Sequence, residues 1–191
     1  MKHILILSLA LALLPWCAHT TYTAGIPNLV QVRSNVWRSG QPTTRAEWRY
    51  LRDLAPGRRW HVLKLNYADE SIDGNDEGAW LEGFDVHVLS IRPRTNPNSA
   101  VQAIEDVVEM PASDVVNEIE RQVMTIPATD DGRDAWLVHC KNGHDRTGLV
   151  VGMIRLRVDH WSKKRAWDEM LARGFHPELV GLVRQWEKMV P

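Results

Sequence analysis

Ala135-Trp136-Leu137-Val138-His139-Cys140-Lys141-Asn142-Gly143-His144-Asp145-Arg146-Thr147-Gly148 is the stretch that decides how this chain is read. Its first four residues are apolar without alternation, as a strand covered on both faces requires. Beyond Gly148, residues Leu149, Val150, Met153 and Ile154 recur at helical spacing and mark a buried helix. The residues between strand and helix must therefore turn sharply at a helix N-terminus, where successive N–H groups and the helix dipole favour an anion. Gly143 permits backbone torsions that a side chain would forbid. Arg146 can curl back and offer a planar fork to two oxygens, a geometry Lys cannot reproduce. Lys141, Asn142, Gly143, His144, Asp145 and Arg146 thus form a cradle suited to a tetrahedral dianion.

The same field favours the thiolate form of Cys140, the nucleophilic form of cysteine. A thiolate beside a clamped phosphate can attack phosphorus in line and form a phosphocysteine that water later cleaves. Thr147 can donate its hydroxyl to the sulfur as it leaves in that second step. His139 is expected to orient the loop through hydrogen bonds rather than to transfer protons. A lone cysteine more often packs as an inert small hydrophobe, but the residues around Cys140 argue against that reading here.

Upstream of the loop, Val36-Trp37-Arg38-Ser39 reads as a short strand ended by Gly40-Gln41-Pro42. Thr44-Arg45-Ala46-Glu47 has capping-box spacing and opens a helix whose inner face carries Trp48, Leu51 and Leu54 or Ala55, before Pro56-Gly57 stops it. Strands are expected at Trp60 to Leu65 and Val86 to Ile91, with an acidic, turn-rich loop from Asn66 to Gly78 and a short helical piece around Trp80-Leu81 between them. Arg92 to Pro111 reads as a long irregular connection of the kind that is often functional. Pro111-Ala112-Ser113 opens a helix with Val116, Ile119 and Val123 facing inward. After the central loop come helices from Ser162 to Arg173 and from Glu178 to about Val190, with apolar faces Ala166, Met170, Leu171 and Leu179, Val183, Trp186, Val190. This alternation predicts an α/β domain over residues 26–191 with a largely parallel central sheet flanked by helices on both sides. There is no internal repeat and no low-complexity tract.

The chain has 191 residues, 44% of them hydrophobic and 25% charged, which suits one domain. A formal charge of -1 lacks the basic excess that nucleic-acid or acidic-membrane binding needs, so anion specificity must be local. Met1-Lys2-His3 followed by the apolar run Ile4 to Leu14 reads as a signal peptide over residues 1–18, with Ala18 and Ala24 as candidate cleavage points. An exported protein is the expectation, with anchoring through an uncleaved N-terminal segment as the alternative. Trp16 is too large for the residue that precedes a lipidated cysteine, which argues against a lipid on Cys17. Cleavage after Ala18 would leave Cys140 as the sole thiol, with no disulfide possible. No His, Cys and Asp cluster stands at metal-ligand spacing along the chain and no nucleotide-binding glycine loop occurs, so no metal or cofactor is expected.

His-Cys, five residues, Arg, then Ser or Thr is the signature of the protein tyrosine phosphatase superfamily, and His139, Cys140, Arg146 and Thr147 match each position. Val36 to Pro42, Val62 to Asn66 and Val86 to Arg92 further resemble the strands of compact dual-specificity-like phosphatases found in bacteria. The resemblance covers roughly residues 30 to 190. It implies a metal-independent phosphatase with a shallower pocket than the larger tyrosine-specific domains have. It also implies a general acid on a separate loop about thirty to forty residues before the cysteine. Asp106 and Glu109 lie 34 and 31 residues before Cys140, with Glu105 a weaker choice, and Asp106 is the expected acid. Neither Asp106 nor Glu109 stands in the Trp-Pro-Asp triplet of the larger enzymes. Cys-x4-Asp-Arg-Thr also resembles the loops of myotubularins and of some secreted bacterial phosphatases that accept phosphoinositides, where an acid at Asp145 could itself protonate the leaving group. Lys141 resembles the lysine of phosphoinositide 3-phosphatases. Arg92 and Arg94 could contact substrate.

The leading expectation is a phosphatase for phosphotyrosine, and for phosphoserine or phosphothreonine, in proteins. The nearest rival keeps the chemistry and takes inositol phosphates or phosphoinositides. Sulfur transfer and arsenate reduction also use a cysteine in an anion loop, but arsenate reduction wants partner thiols. A non-catalytic phosphate-binding module is the third class, which the intact Cys140, Arg146 and Thr147 make unnecessary.

Overall fold

Five strands form one sheet in the order β1-β2-β5-β3-β4, in a computed structural model that describes residues 24–66, 81–91 and 112–189. The strands are β1 (Val30–Arg33), β2 (Val36–Ser39), β3 (Arg59–Lys64), β4 (Phe84–Val88) and β5 (Asp134–His139). The helices are α1 (Arg45–Leu54), α2 (Ala112–Val123), α3 (Asp145–Arg157), α4 (Lys163–Ala172) and α5 (Val180–Lys188). β5 pairs in parallel with β2 and β3, and β3 in parallel with β4. β1 is antiparallel to β2 across the turn at Ser34-Asn35. β1 and this hairpin were not foreseen from sequence, because Val30-Gln31-Val32-Arg33 is four residues long and carries no turn glycine.

The unbroken apolar run of β5 has the structural cause expected of it. Ala135 and Leu137 face α1 with Trp37, Trp48, Leu51, Trp60 and Val62, while Trp136 and Val138 face the other layer with Val116, Ile119, Val123, Leu149 and Met153. Leu137 is fully buried at the centre, and Leu137→Ala is expected to cost about 2–5 kcal/mol through lost transfer energy and the cavity left behind. α1 starts where the capping box places it: the Thr44 hydroxyl accepts from the Glu47 N–H, and Glu47 returns to the Thr44 N–H at 3.0 Å.

α3 is buried from Arg146 to Leu156, so it shows no polar stripe; a helix covered all round is a core element. Gly152 lets its neighbours close in, since a Cβ there would stand 2.8 Å from the Trp186 ring and 2.9 Å from the Met170 sulfur.

Three expectations need correction. β4 begins at Phe84 and ends at Val88 rather than running from Val86 to Ile91, because pairing with β3 starts at Trp60↔Phe84. Leu171 is 41% exposed, so the inner face of α4 is Ala166 and Met170 without it. α5 begins at Val180, and its most buried residues are Leu182, Gln185 and Trp186, with Leu179 and Val183 only partly covered. The N-terminal segment 1–18, most of the loop from Asn66 to Gly78, Trp80, the connection from Arg92 to Pro111 and Val190 lie outside the described residues. Among the described residues no helix is long and apolar enough to cross a membrane.

Candidate active site

β5 delivers the chain to Cys140 at its C-terminal end, and α3 departs at Asp145. The turn between them is held from outside by its carbonyl oxygens. The Gln41 N–H donates to Lys141 O at 3.0 Å, Asn28 Nδ2 to Asn142 O at 2.7 Å, and Arg38 Nη2 to Gly143 O at 2.6 Å and His144 O at 3.3 Å. A planar trans peptide points its N–H opposite to its C=O. Pinning these carbonyls outward therefore aims the N–H groups of Asn142, Gly143, His144 and Asp145 toward the inner side of the turn. The Gly143 N–H accordingly reaches Cys140 Sγ at 3.3 Å.

The first turn of α3 adds N–H groups that have no acceptor within the helix, the first internal bond being Gly148 N–H to His144 O at 2.7 Å. The whole is a concave array of donors around a buried thiol, with Cys140 2% exposed.

Gly143 has φ +76, the left-handed region, and an added Cβ would sit 2.5 Å from the Ser39 carbonyl carbon. The loop after β2 presses directly on this turn, so only glycine fits.

Arg146 is folded into the protein, 5% exposed, with Nη1 near the Leu65 and Ile91 carbonyls at 3.4 Å each. These carbonyls belong to the segments that leave β3 and β4, so two neighbouring strands fix the fork's position. Arg38, 3% exposed, is a second buried guanidinium beside the loop; desolvation, offset in part by Glu169, lowers its pKa to about 10, and it stays charged at neutral pH. Sequence reasoning missed Arg38 and Asn28, although an arginine inside the otherwise closed strand Val36-Trp37-Arg38-Ser39 was a visible signal.

His139 is fully buried, edge-on to the Trp48 ring at 6.0 Å. Burial first, then the charges of Lys64 and Arg146, push its pKa down to about 3 against a backbone contact to Cys140. It is neutral at working pH, and neither ring nitrogen makes a hydrogen bond of normal geometry among the described residues, so its observed contact is packing against Trp48 rather than the hydrogen bonding to the loop that was expected. The Thr147 hydroxyl is buried with no hydrogen-bond partner among the described residues. Lys141 and Asn142 are exposed and His144 is half-buried.

Asp145 does not stand over the cysteine as a free acid. Its Oδ1 accepts from the His176 N–H at 2.8 Å and contacts His176 Nδ1 at 2.9 Å, a tie between the start of α3 and the segment after α4. The partnership raises the pKa of His176, by hydrogen bond first and charge second. Asp106, Glu105, Glu109, Arg92 and Arg94 lie outside the described residues.

Among curated proteins, the chain is similar to the dual specificity protein phosphatase TpbA of Pseudomonas aeruginosa, 28% identical over 104 residues. That match covers 54% of this chain and 40% of the relative's own length. The crystal structure of P. aeruginosa TpbA superposes with a TM-score of 0.58 at 21% identity, covering 86% of each chain. The core catalytic domain of the PP-IP phosphatase SIW14 from S. cerevisiae gives 0.55 at 19% identity, over 82% of this chain and 84% of that one. PTPMT1 in complex with PI(5)P gives 0.56 at 18% identity, over 84% and 95%. These structures share the fold. A model described as the tyrosine phosphatase family matches residues 26–175, which take in all five strands, the loop at Cys140 and the first four helices, and the chain belongs to that family.

Proposed function

We propose that this protein is a metal-independent phosphatase that hydrolyses phosphate monoesters through a phosphocysteine on Cys140, with phosphotyrosine-bearing protein as its leading substrate. The observation that carries the reading is the outward pinning of four consecutive loop carbonyls, Lys141 to His144, which aims the amides that follow them inward, that of Gly143 reaching Cys140 Sγ. Those amides and Arg146 supply the charge stabilisation that a metal supplies elsewhere. In the first step the thiolate bonds to phosphorus, the phosphorus–oxygen bond to the leaving group breaks, and an acid protonates the departing oxygen. In the second, water attacks phosphorus, its proton goes to the same carboxylate, and phosphate leaves as the thiolate is restored. Thr147, whose buried hydroxyl is uncommitted, donates to that sulfur. Asp106 is the proposed acid, and the engagement of Asp145 by His176 supports an acid from outside the loop.

Similarity to the dual specificity protein phosphatase TpbA supports the protein substrate. A phosphoinositide or inositol phosphate is the second reading, favoured by the exposed Lys141 beside the cysteine and by the likeness to PTPMT1 and SIW14. Turnover of an aryl phosphate in EDTA, with Cys140→Ser beside wild type, tests the mechanism. Full wild-type turnover and none above background in the variant is expected. Activity that needs added metal, or that survives Cys140→Ser, overturns the proposal. A panel of phosphotyrosyl peptides against inositol phosphates and phosphoinositide vesicles separates the substrates.

A further inference from the structure

We propose that His61, Asp85 and His87 form a binding site for a single zinc ion, on one face of the paired strands β3 and β4. The three residues come from two paired strands. In the register of β3 and β4, His61 lies opposite Asp85 and Leu63 opposite His87. Because alternate residues of a strand share a face, all three side chains stand on the same side of the sheet. Spacing along the chain does not reveal this, since His61 is far from the other two in sequence.

Both nitrogens stand at about the distance from the Asp85 carboxylate that a shared metal would impose. His61 Nδ1 is 3.1 Å from Asp85 Oδ2, and His87 Nε2 is 3.6 Å from the same oxygen. All three ligand atoms lie within 4.8 Å of one another. A tetrahedral zinc with ligands at about 2.0–2.2 Å needs them roughly 3.3–3.5 Å apart, within the span observed.

Hydrogen bonding does not account for the cluster. The His61 side chain is only 9% exposed, and its Nδ1, like His87 Nε2, is buried without a hydrogen bond. On its other side, His61 Nε2 lies 3.3 Å from Asp134 Oδ1, and Arg59 Nε holds that same oxygen at 2.9 Å. A proton on Nε2, donated to Asp134, leaves the Nδ1 lone pair facing Asp85 and His87. With His87 carrying its proton on Nδ1, three electron-pair donors converge there, and a cation completes the arrangement. A carboxylate behind a ligating histidine is the usual outer partner that fixes its tautomer.

Trp136 fixes the rings as well. It stacks on His61 at 4.3 Å and on His87 at 5.7 Å, so both imidazoles are oriented before any ion arrives. Two imidazoles and one carboxylate select a borderline cation such as Zn²⁺ over the oxygen-seeking Mg²⁺ and Ca²⁺, and no thiolate is present to favour Cu⁺. Asp85 is half-exposed, which leaves room for water in the fourth position. In register, His61 lies level with Trp136 and His87 with Val138, four and two residues before Cys140, so the cluster stands back from Cys140 by about 7–13 Å along the strands, with His87 also two strands away in the sheet. The ion would therefore clamp the edge strand β4 onto β3 without touching the phosphate chemistry.

The test uses the full chain carrying Cys140→Ser, which removes a thiolate that would compete for zinc, stripped with EDTA and titrated with Zn²⁺ against a chromogenic chelator. One equivalent should bind and raise the thermal midpoint. His87→Ala and Asp85→Asn, both at partly exposed positions, should each weaken binding by at least about tenfold and abolish the rise in midpoint, and Asp134→Asn should weaken it about 10–100-fold. Co²⁺ in place of zinc should give the visible absorption of a tetrahedral site, lost in His87→Ala. Failure to bind zinc stoichiometrically, or an affinity unchanged by both His87→Ala and Asp85→Asn, overturns the proposal and leaves a histidine–carboxylate cluster.

Discussion

At the C-terminal end of β2, β3 and β5 the groups that converge are backbone amides, whereas on the face of the paired strands β3 and β4 they are side chains. The first arrangement depends on backbone direction. It uses carbonyls pinned by Gln41, Asn28 and Arg38 and a left-handed glycine at position 143. The second depends only on strand register and alternation, which places His61, Asp85 and His87 on one face. An amide cradle has no side chain to adjust when the chain shifts, so the loop end should be far less tolerant of substitution than the cluster.

Gly143→Ala should break the comparison most severely. The new Cβ would press on the Ser39 carbonyl carbon at 2.5 Å, and the φ of +76 is strained for any L side chain. Turnover of an aryl phosphate should fall by at least about 10²-fold, the scale of losing a single oxyanion donor. Circular dichroism should show a retained fold; wild-type turnover would mean that the loop amides do not carry the charge stabilisation.

Arg38→Met comes next. It removes the donor to Gly143 O and leaves that buried carbonyl unpaired, at about 1–3 kcal/mol, while His144 O keeps the Gly148 N–H. The denaturation midpoint should drop accordingly and kcat should fall more than KM rises, because amide direction matters most as charge develops. Arg38→Lys should recover little, since one ammonium does not reproduce the planar fork.

The part of the site legible in sequence is the part written contiguously. His139 to Gly148 gave the turn, the thiol, the fork and the helix that follows, because those residues are neighbours along the chain. The α1 capping box and the double-sided apolar run of β5 were legible for the same reason. What was missed arises from pairing across the sheet. Asn28 and Arg38 reach the loop from over a hundred residues away, and His61 meets Asp85 only through strand register. β4 was displaced because its start is set by pairing of Phe84 with Trp60, not by its own hydrophobicity.

A gentler probe of the loop end is its pH response. His139 has its folded pKa depressed to about 3 from an ordinary value of 6.5, so the unfolded chain takes up the proton first. Its contribution to stability is present above about pH 6.5 and is lost progressively as pH falls toward 3. Urea midpoints measured at descending pH should decline over that window, and His139→Asn should flatten the part of the slope that belongs to this residue. An unchanged slope would mean that His139 is protonated in the folded protein.

The smallest expected effect concerns Asp145 and His176. The pKa of His176 is raised by its hydrogen bond to Asp145, so this group stabilises the fold below its ordinary value of 6.5, and the contribution is lost as pH rises through the raised value. His176 is exposed, which keeps the effect slight. Asp145→Asn should move the NMR titration midpoint of His176 down toward 6.5 and shift the thermal midpoint little. The same variant sharpens the assignment of the acid. If Asp145 only ties the start of α3 to the segment after α4, turnover of substrates with poor and good leaving groups should change by a common factor. Asp106→Asn should instead lose about 10²–10⁴-fold with a leaving group that needs protonation and far less with one stable as an anion. A leaving-group dependence that follows Asp145→Asn and spares Asp106→Asn would move the acid into the loop, and the hydrogen bond to His176 would then have to open during turnover.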